Sequence, residues 1–199
     1  MLRSLIAASF VLAGGFLAPA MAQQTETAIF AGGCFWCVES DFDKVPGVVS
    51  TTSGYSGGTL ENPTYPNHEG HREVVRIEYD PARVNYETLV DVFFHTVDPT
   101  DSGGQFCDRG HAYTTAVYVN GEEQKAAAEK AKTDAQQALG KEVVTPIEAA
   151  GPFWSAEGYH QDYYKKNPLK YRYYRYACGR NARVEEVWGK AAYEGVPSH

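Results

Sequence analysis

Seven residues, Ala31-Gly32-Gly33-Cys34-Phe35-Trp36-Cys37, constrain this chain more than any other stretch. They lie between a run of β-formers, Thr27 to Ala31, and a helix-forming run from Phe35 to Lys44, so the two glycines must turn the backbone sharply from strand to helix. Cys34 then falls at the helix start, where unpaired amides and the helix dipole favour an anion. A thiolate, and hence a reactive sulfur, is expected there.

Further elements follow at short intervals. Strands are expected at Val48–Tyr55, Arg72–Tyr79, Tyr113–Asn120 and Val143–Ala149, and helices at Tyr86–His95 and Glu122–Leu139. Asn85 is the expected N-cap of the first of these helices, and the second offers mostly alanine to its neighbours. Strand and helix alternate without a regular parallel rhythm, so the fold class is α+β in a single domain, with a long C-terminal coil after Gly151. Within that coil, Tyr159 to Tyr176 is crowded with tyrosines interleaved with Lys and Arg, read as rings covering a sheet with their hydroxyls toward water.

Residues 1–22 carry Arg3, an apolar run from Leu5 to Leu17 and Ala20-Met21-Ala22, the pattern of a secretory signal peptide that is removed and leaves no stable membrane insertion. An exported protein, in a bacterial periplasm, is the expectation, with residues 23–199 as its one domain. Without Arg3 the chain has 17 Lys and Arg against 25 Asp and Glu, a net charge of −8. That charge excludes nucleic acid as a natural partner.

Outside the cytosol an even cysteine count ordinarily means structural disulfides. Cys34 and Cys37, three residues apart, ask for chemistry instead. A carboxylate able to serve them is found by parity. Along Arg72–Tyr79, Glu73 shares a face with Val75, Ile77 and Tyr79, the more apolar face, so burial should raise its pKa and let it hold a proton for donation. Tyr113 falls with Thr115, Val117 and Val119 and could offer a phenol to the same pocket. No second pair of closely spaced cysteines joins the histidines, so no metal site is expected. A thioredoxin-like disulfide exchanger and a noncatalytic secreted domain held by two disulfides are the competing readings.

These residues resemble those of a known family, the A class of the methionine sulfoxide reductases. The resemblance rests on Gly33-Cys34-Phe35-Trp36, Gly54-Tyr55-Ser56-Gly57-Gly58, Asn62-Pro63-Thr64-Tyr65, Gly70-His71 ahead of Glu73, and Asp98-Pro99-Thr100. It continues through Asp108-Arg109-Gly110 with Tyr113, His160-Gln161-Asp162-Tyr163 and Cys178-Gly179-Arg180. It implies a mixed sheet flanked by helices with a ferredoxin-like core. It further implies Cys34 as the nucleophile toward the S epimer of methionine sulfoxide, Phe35 and Trp36 as the pocket for the S-methyl group, and Glu73 as the proton donor. Tyr65 and Tyr113 would bond the sulfoxide oxygen, and Asp108 would support the site. A sulfenic acid on Cys34 would condense with a resolving cysteine, for which Cys37, Cys178 and Cys107 all remain open. An external, thioredoxin-like dithiol would reduce the resulting disulfide, no bound cofactor being required. The substrates implied are oxidised proteins or peptides that contain methionine sulfoxide.

Overall fold

The computed structural model describes residues 24–197, so the signal segment read at 1–22 lies outside the described residues. Strand β1 (Glu26–Gly32) leads through the glycine turn into helix α1 (Phe35–Phe42). Strands β2 (Val48–Ser56) and β3 (Arg72–Tyr79) and helix α2 (Tyr86–Phe94) follow. Two short strands, β4 (Gly104–Gln105) and β5 (Asp108–Arg109), pair with each other before β6 (Thr115–Val119) and helix α3 (Gly121–Leu139). The chain ends with β7 (Ile147–Ala149), β8 (Trp154–Ser155), and helices α4 (Tyr163–Lys166), α5 (Pro168–Ala177) and α6 (Arg180–Trp188).

The six-stranded sheet runs β7-β6-β1-β3-β2-β8. All neighbours are antiparallel except β6 and β7, which are parallel. Its four inner strands, with α1 and α2 as crossovers, have the ferredoxin-like order, so the sheet is mixed and flanked by helices as expected. The alternation of β1 explains the layering. Ala28 and Phe30 point into the main core with Val75, Ile77, Leu89 and Phe93, whereas Ile29 and Ala31 point to the opposite face with Val74 and Tyr118. Phe30 is sandwiched by Phe93 at 4.9 Å and Phe42 at 5.4 Å between ring centroids. Asn85 caps α2 by accepting the Thr88 N–H at 2.9 Å, and α3 buries only Ala128 and Ala135. No helix among the described residues is long and apolar enough to cross a membrane.

Three expectations need correction. The C-terminal stretch is helical rather than coil. Its buried positions, Tyr171 and Arg175 in α5 and Arg180, Val184 and Trp188 in α6, recur at helical spacing, a pattern disguised because arginine and tyrosine occupy places usually held by aliphatic residues. Apart from Tyr159, which lies in a turn, these tyrosines therefore sit on helices, and Tyr163 stacks on Trp36 instead of covering a sheet. The strand expected from Val143 is confined to Ile147–Ala149, because Pro146 has no N–H to give a ladder and biases its predecessor away from regular pairing. Tyr113 does not open a strand either. It closes a single 3₁₀ turn, His111–Tyr113, after Gly110 with φ 108°, so strand parity does not govern its direction.

Candidate active site

The turn that carries Cys34 is fixed by Gly33, whose φ of +81° suits glycine, and a Cβ there would lie 2.6 Å from that of Gln105. Cys34 becomes the N-cap of α1, and Cys37 lies one turn on. Both are free thiols and both are buried. The two sulfurs are hydrogen-bonded to each other.

The first helical amide is not aimed at sulfur. The Phe35 N–H donates to Glu73 Oε2 at 2.9 Å, so the carboxyl from β3 occupies the electropositive helix start. Glu73 is only 2% exposed. Burial, opposed by the Phe35 amide and reinforced by Asp108 and Cys37, pushes its carboxyl up to about 8. At neutral pH it holds a proton.

The expected Cys34 thiolate is corrected by the same geometry. Burial, then the hydrogen bond and charge of Cys37, then Glu73, hold the Cys34 thiol well above the ordinary cysteine range, and a hydrogen bond from Tyr174 works the other way. Burial also pushes the Cys37 thiol up. The hydrogen bond from Cys34 and the charges of Arg180 and Arg175 more than offset this and draw Cys37 down to about 7. The pair thus shares its acidity unequally, with the negative charge favoured on Cys37. Asp41, fully buried, anchors both guanidinium groups: Arg175 at 2.9 Å and Arg180 at 3.9 Å.

Around this centre the structure gathers the tyrosines and Asp108. Tyr65 and Tyr113 are hydrogen-bonded to each other, and both phenols are pushed up first by burial and then by the charge of Glu73, with Cys34 and Asp108 contributing. Asp108 is raised by burial, and Tyr174 donates to its Oδ2. Phe35 is buried, whereas Trp36 is half-buried, its ring stacked on Tyr163 at 3.8 Å and its indole N–H donating to His160 Nδ1 at 3.0 Å. His160 also packs against Phe35 at 5.0 Å and Tyr65 at 4.5 Å between ring centroids.

Sequence reasoning missed Tyr174, Arg175 and the use of Arg180. One signal was present for the first: Tyr174 lies four residues before Cys178, hence on the same helix face. Of the other cysteines, Cys107 and Cys178 are bonded to each other across 71 residues, Cys107 being exposed. With Asp108 they are the grouping of potential metal ligands among the described residues, within 4.8 Å of one another, and its two sulfurs are already joined.

The chain that carries this buried thiol pair and protonated carboxyl is similar to known proteins. The family model described as peptide methionine sulfoxide reductase matches residues 26–192. The chain belongs to that family. Peptide methionine sulfoxide reductase MsrA 2 of Rhizobium meliloti is 56% identical over 198 residues, 98% of this chain and 99% of that protein. Among solved structures, methionine sulfoxide reductase A of Corynebacterium diphtheriae aligns with a TM-score of 0.66 and 34% identity over 73% of this chain and 76% of that one. Reduced Mxr1 from Saccharomyces cerevisiae aligns with a TM-score of 0.67 and 28% identity over 73% of this chain and 87% of that one.

Proposed function

We propose that this chain reduces the S epimer of methionine sulfoxide, in peptides and proteins and as the free amino acid, with Cys34 as nucleophile and Glu73 as acid. The observation that carries this is the buried Glu73 carboxyl, tied to the Phe35 amide and pushed up to about 8 beside Cys34. Sulfoxide sulfur is a poor electrophile until its oxygen is protonated. A carboxylic acid still protonated near pH 7 meets that need.

In this reading the sulfoxide oxygen lies among Glu73, Tyr65 and Tyr113, and the methyl group lies against Phe35 and Trp36, so the polar and apolar sides together select one configuration at sulfur. Glu73 gives its proton to the oxygen as the Cys34 sulfur attacks, and the S–O bond of the substrate breaks. The oxygen, now a hydroxyl, passes to the Cys34 sulfur as its bond to the substrate sulfur breaks, so methionine leaves with both electrons and Cys34 is left as a sulfenic acid. Cys37 is the resolving thiol. It is free, already hydrogen-bonded to Cys34, and favoured as thiolate by Arg180 and Arg175, whereas Cys107 and Cys178 are engaged with each other. Its attack forms the Cys34–Cys37 disulfide and expels the oxygen as water. An external thioredoxin-like dithiol then returns the pair to thiols, one dithiol oxidised per methionine formed. The leader-like residues 1–22 support the reading of an exported, periplasmic repair enzyme, to which a dithiol carrier fed from the membrane would supply electrons.

The test is to give the reduced protein each sulfoxide epimer and follow methionine by chromatography. Consumption of the S epimer alone is expected. Equal use of both epimers would contradict the assignment of the pocket, and no methionine from either would end the reading.

A further inference from the structure

Burial opposes ionisation of Cys34, yet its sulfur must lose a proton to attack. Cys37 offers a place for that proton, because the two sulfurs already share a hydrogen bond. The charge left on Cys34 still needs a donor. Helix amides ordinarily supply one, but the Phe35 amide is committed to Glu73.

A different group reaches the sulfur. The Tyr174 hydroxyl, on α5, is hydrogen-bonded to Cys34 and also donates to Asp108 Oδ2. A phenol has one proton and so cannot serve both acceptors fully at once. Its aim is tightly determined. The ring packs edge-on against Trp36 at 5.7 Å. Cys178 lies one helical turn beyond Tyr174, Cys107 is the neighbour of Asp108, and the Cys107–Cys178 bond therefore ties together the two segments whose side chains meet. Sequence distance between these segments is large, and nothing in the catalytic scheme above uses this bond.

We propose that Tyr174 is a catalytic residue, turning its hydroxyl proton from Asp108 to the Cys34 sulfur as that thiol ionises, with Asp108 and the Cys107–Cys178 disulfide as its positioning partners. The step moves no atoms beyond protons. The Cys34 proton passes to the Cys37 thiolate, and the Tyr174 proton stays on its oxygen while its hydrogen bond changes acceptor. A charge-assisted bond of this kind is the strong sort. The proposal rests on Cys34 as nucleophile, and the assay below separates the two.

The titratable groups facing Cys34 are Cys37 from its own helix, Glu73 from β3, Tyr65 and Tyr113 from the loops, and Tyr174 from α5. Arg180 and Arg175 act through Cys37, and Asp108 through the tyrosines. The experiment measures iodoacetamide labelling of Cys34 against pH, with the labelled sulfur located by fragment mass spectrometry and Cys107–Cys178 left bonded. Tyr174→Phe keeps the ring against Trp36 and removes only the hydroxyl. Its labelling midpoint should move up by about one to two pH units, and methionine formed in a single turnover should slow about 10- to 100-fold. Tyr173→Phe, altering a ring that is 74% exposed on the same helix, should change neither. An unshifted midpoint in Tyr174→Phe overturns the proposal. Should that variant fail to fold, 3-fluorotyrosine at position 174, a more acidic phenol of nearly the same shape, must lower the wild-type midpoint, and an unmoved midpoint overturns the proposal equally. Wild-type protein that labels normally but forms no methionine would instead remove the reading of Cys34 as nucleophile.

Discussion

The molecule holds two cysteine pairs that differ in almost every physical respect. Cys34 and Cys37 are three residues apart, buried, unbonded, and set between a protonated carboxyl and two guanidinium groups. Cys107 and Cys178 are 71 residues apart, joined, and partly open to solvent. One pair is placed where charge is tuned, the other where distant segments of chain need to be held together. Sulfur chemistry follows the surroundings rather than the count of cysteines.

The sharpest way to break this contrast is to remove the sulfurs of the buried pair one at a time. Cys34→Ser should abolish methionine formation altogether, read by chromatography after a single turnover. Cys37→Ser should still release one equivalent of methionine and then stop, because the sulfenic acid has no nearby thiol to condense with. Continued turnover in that variant would move the resolving role to the surface pair. Glu73→Gln should lower the single-turnover rate by roughly 10²–10⁴-fold with little change in substrate affinity, the loss typical of a general acid. An unchanged rate would take Glu73 out of the mechanism.

For the surface pair the expected effect lies chiefly in stability. Cys107→Ser with Cys178→Ser opens a loop of 71 residues, which by chain entropy is worth about 4 kcal/mol in denaturant unfolding. Methionine formation should fall far less than in Glu73→Gln. The last effect concerns pH. Glu73 is raised in the fold to about 8 from an ordinary 4.5, so the native state keeps a proton that the unfolded chain releases. Its contribution to stability is therefore complete below about pH 4.5 and is lost as pH rises through about 8. Glu39, raised by burial to about 7, acts in the same sense. Denaturant midpoints taken between pH 5 and 8 should show this decline, and a rise over that range would contradict a protonated Glu73.

The inner sheet was legible in the sequence because its signals are local. Period-two alternation in Arg72–Tyr79 places Glu73 on the core side, and Asn85 announces the start of α2. The C-terminal helices were not legible, since α5 and α6 bury Arg175 and Arg180, and an inward-facing arginine looks like a solvated one until its partner Asp41 is seen in space. The same reason hid the ionisation of the thiols. A helix start by itself favours a thiolate at Cys34, but the amide that would stabilise it is claimed by a carboxyl 38 residues away. Tyr174 was lost among many tyrosines, and only its hydrogen bonds to Cys34 and Asp108 single it out.

Whether the buried pair alone performs the chemistry is tested most directly by mixing reduced protein, in excess, with methionine S-sulfoxide, quenching after one turnover, and mapping the disulfides by mass spectrometry. The account predicts one methionine per sulfoxide and a new bond between Cys34 and Cys37, with Glu73→Gln slow to form either. A bond from Cys34 to Cys107 or Cys178, or a disulfide formed without methionine, would contradict it.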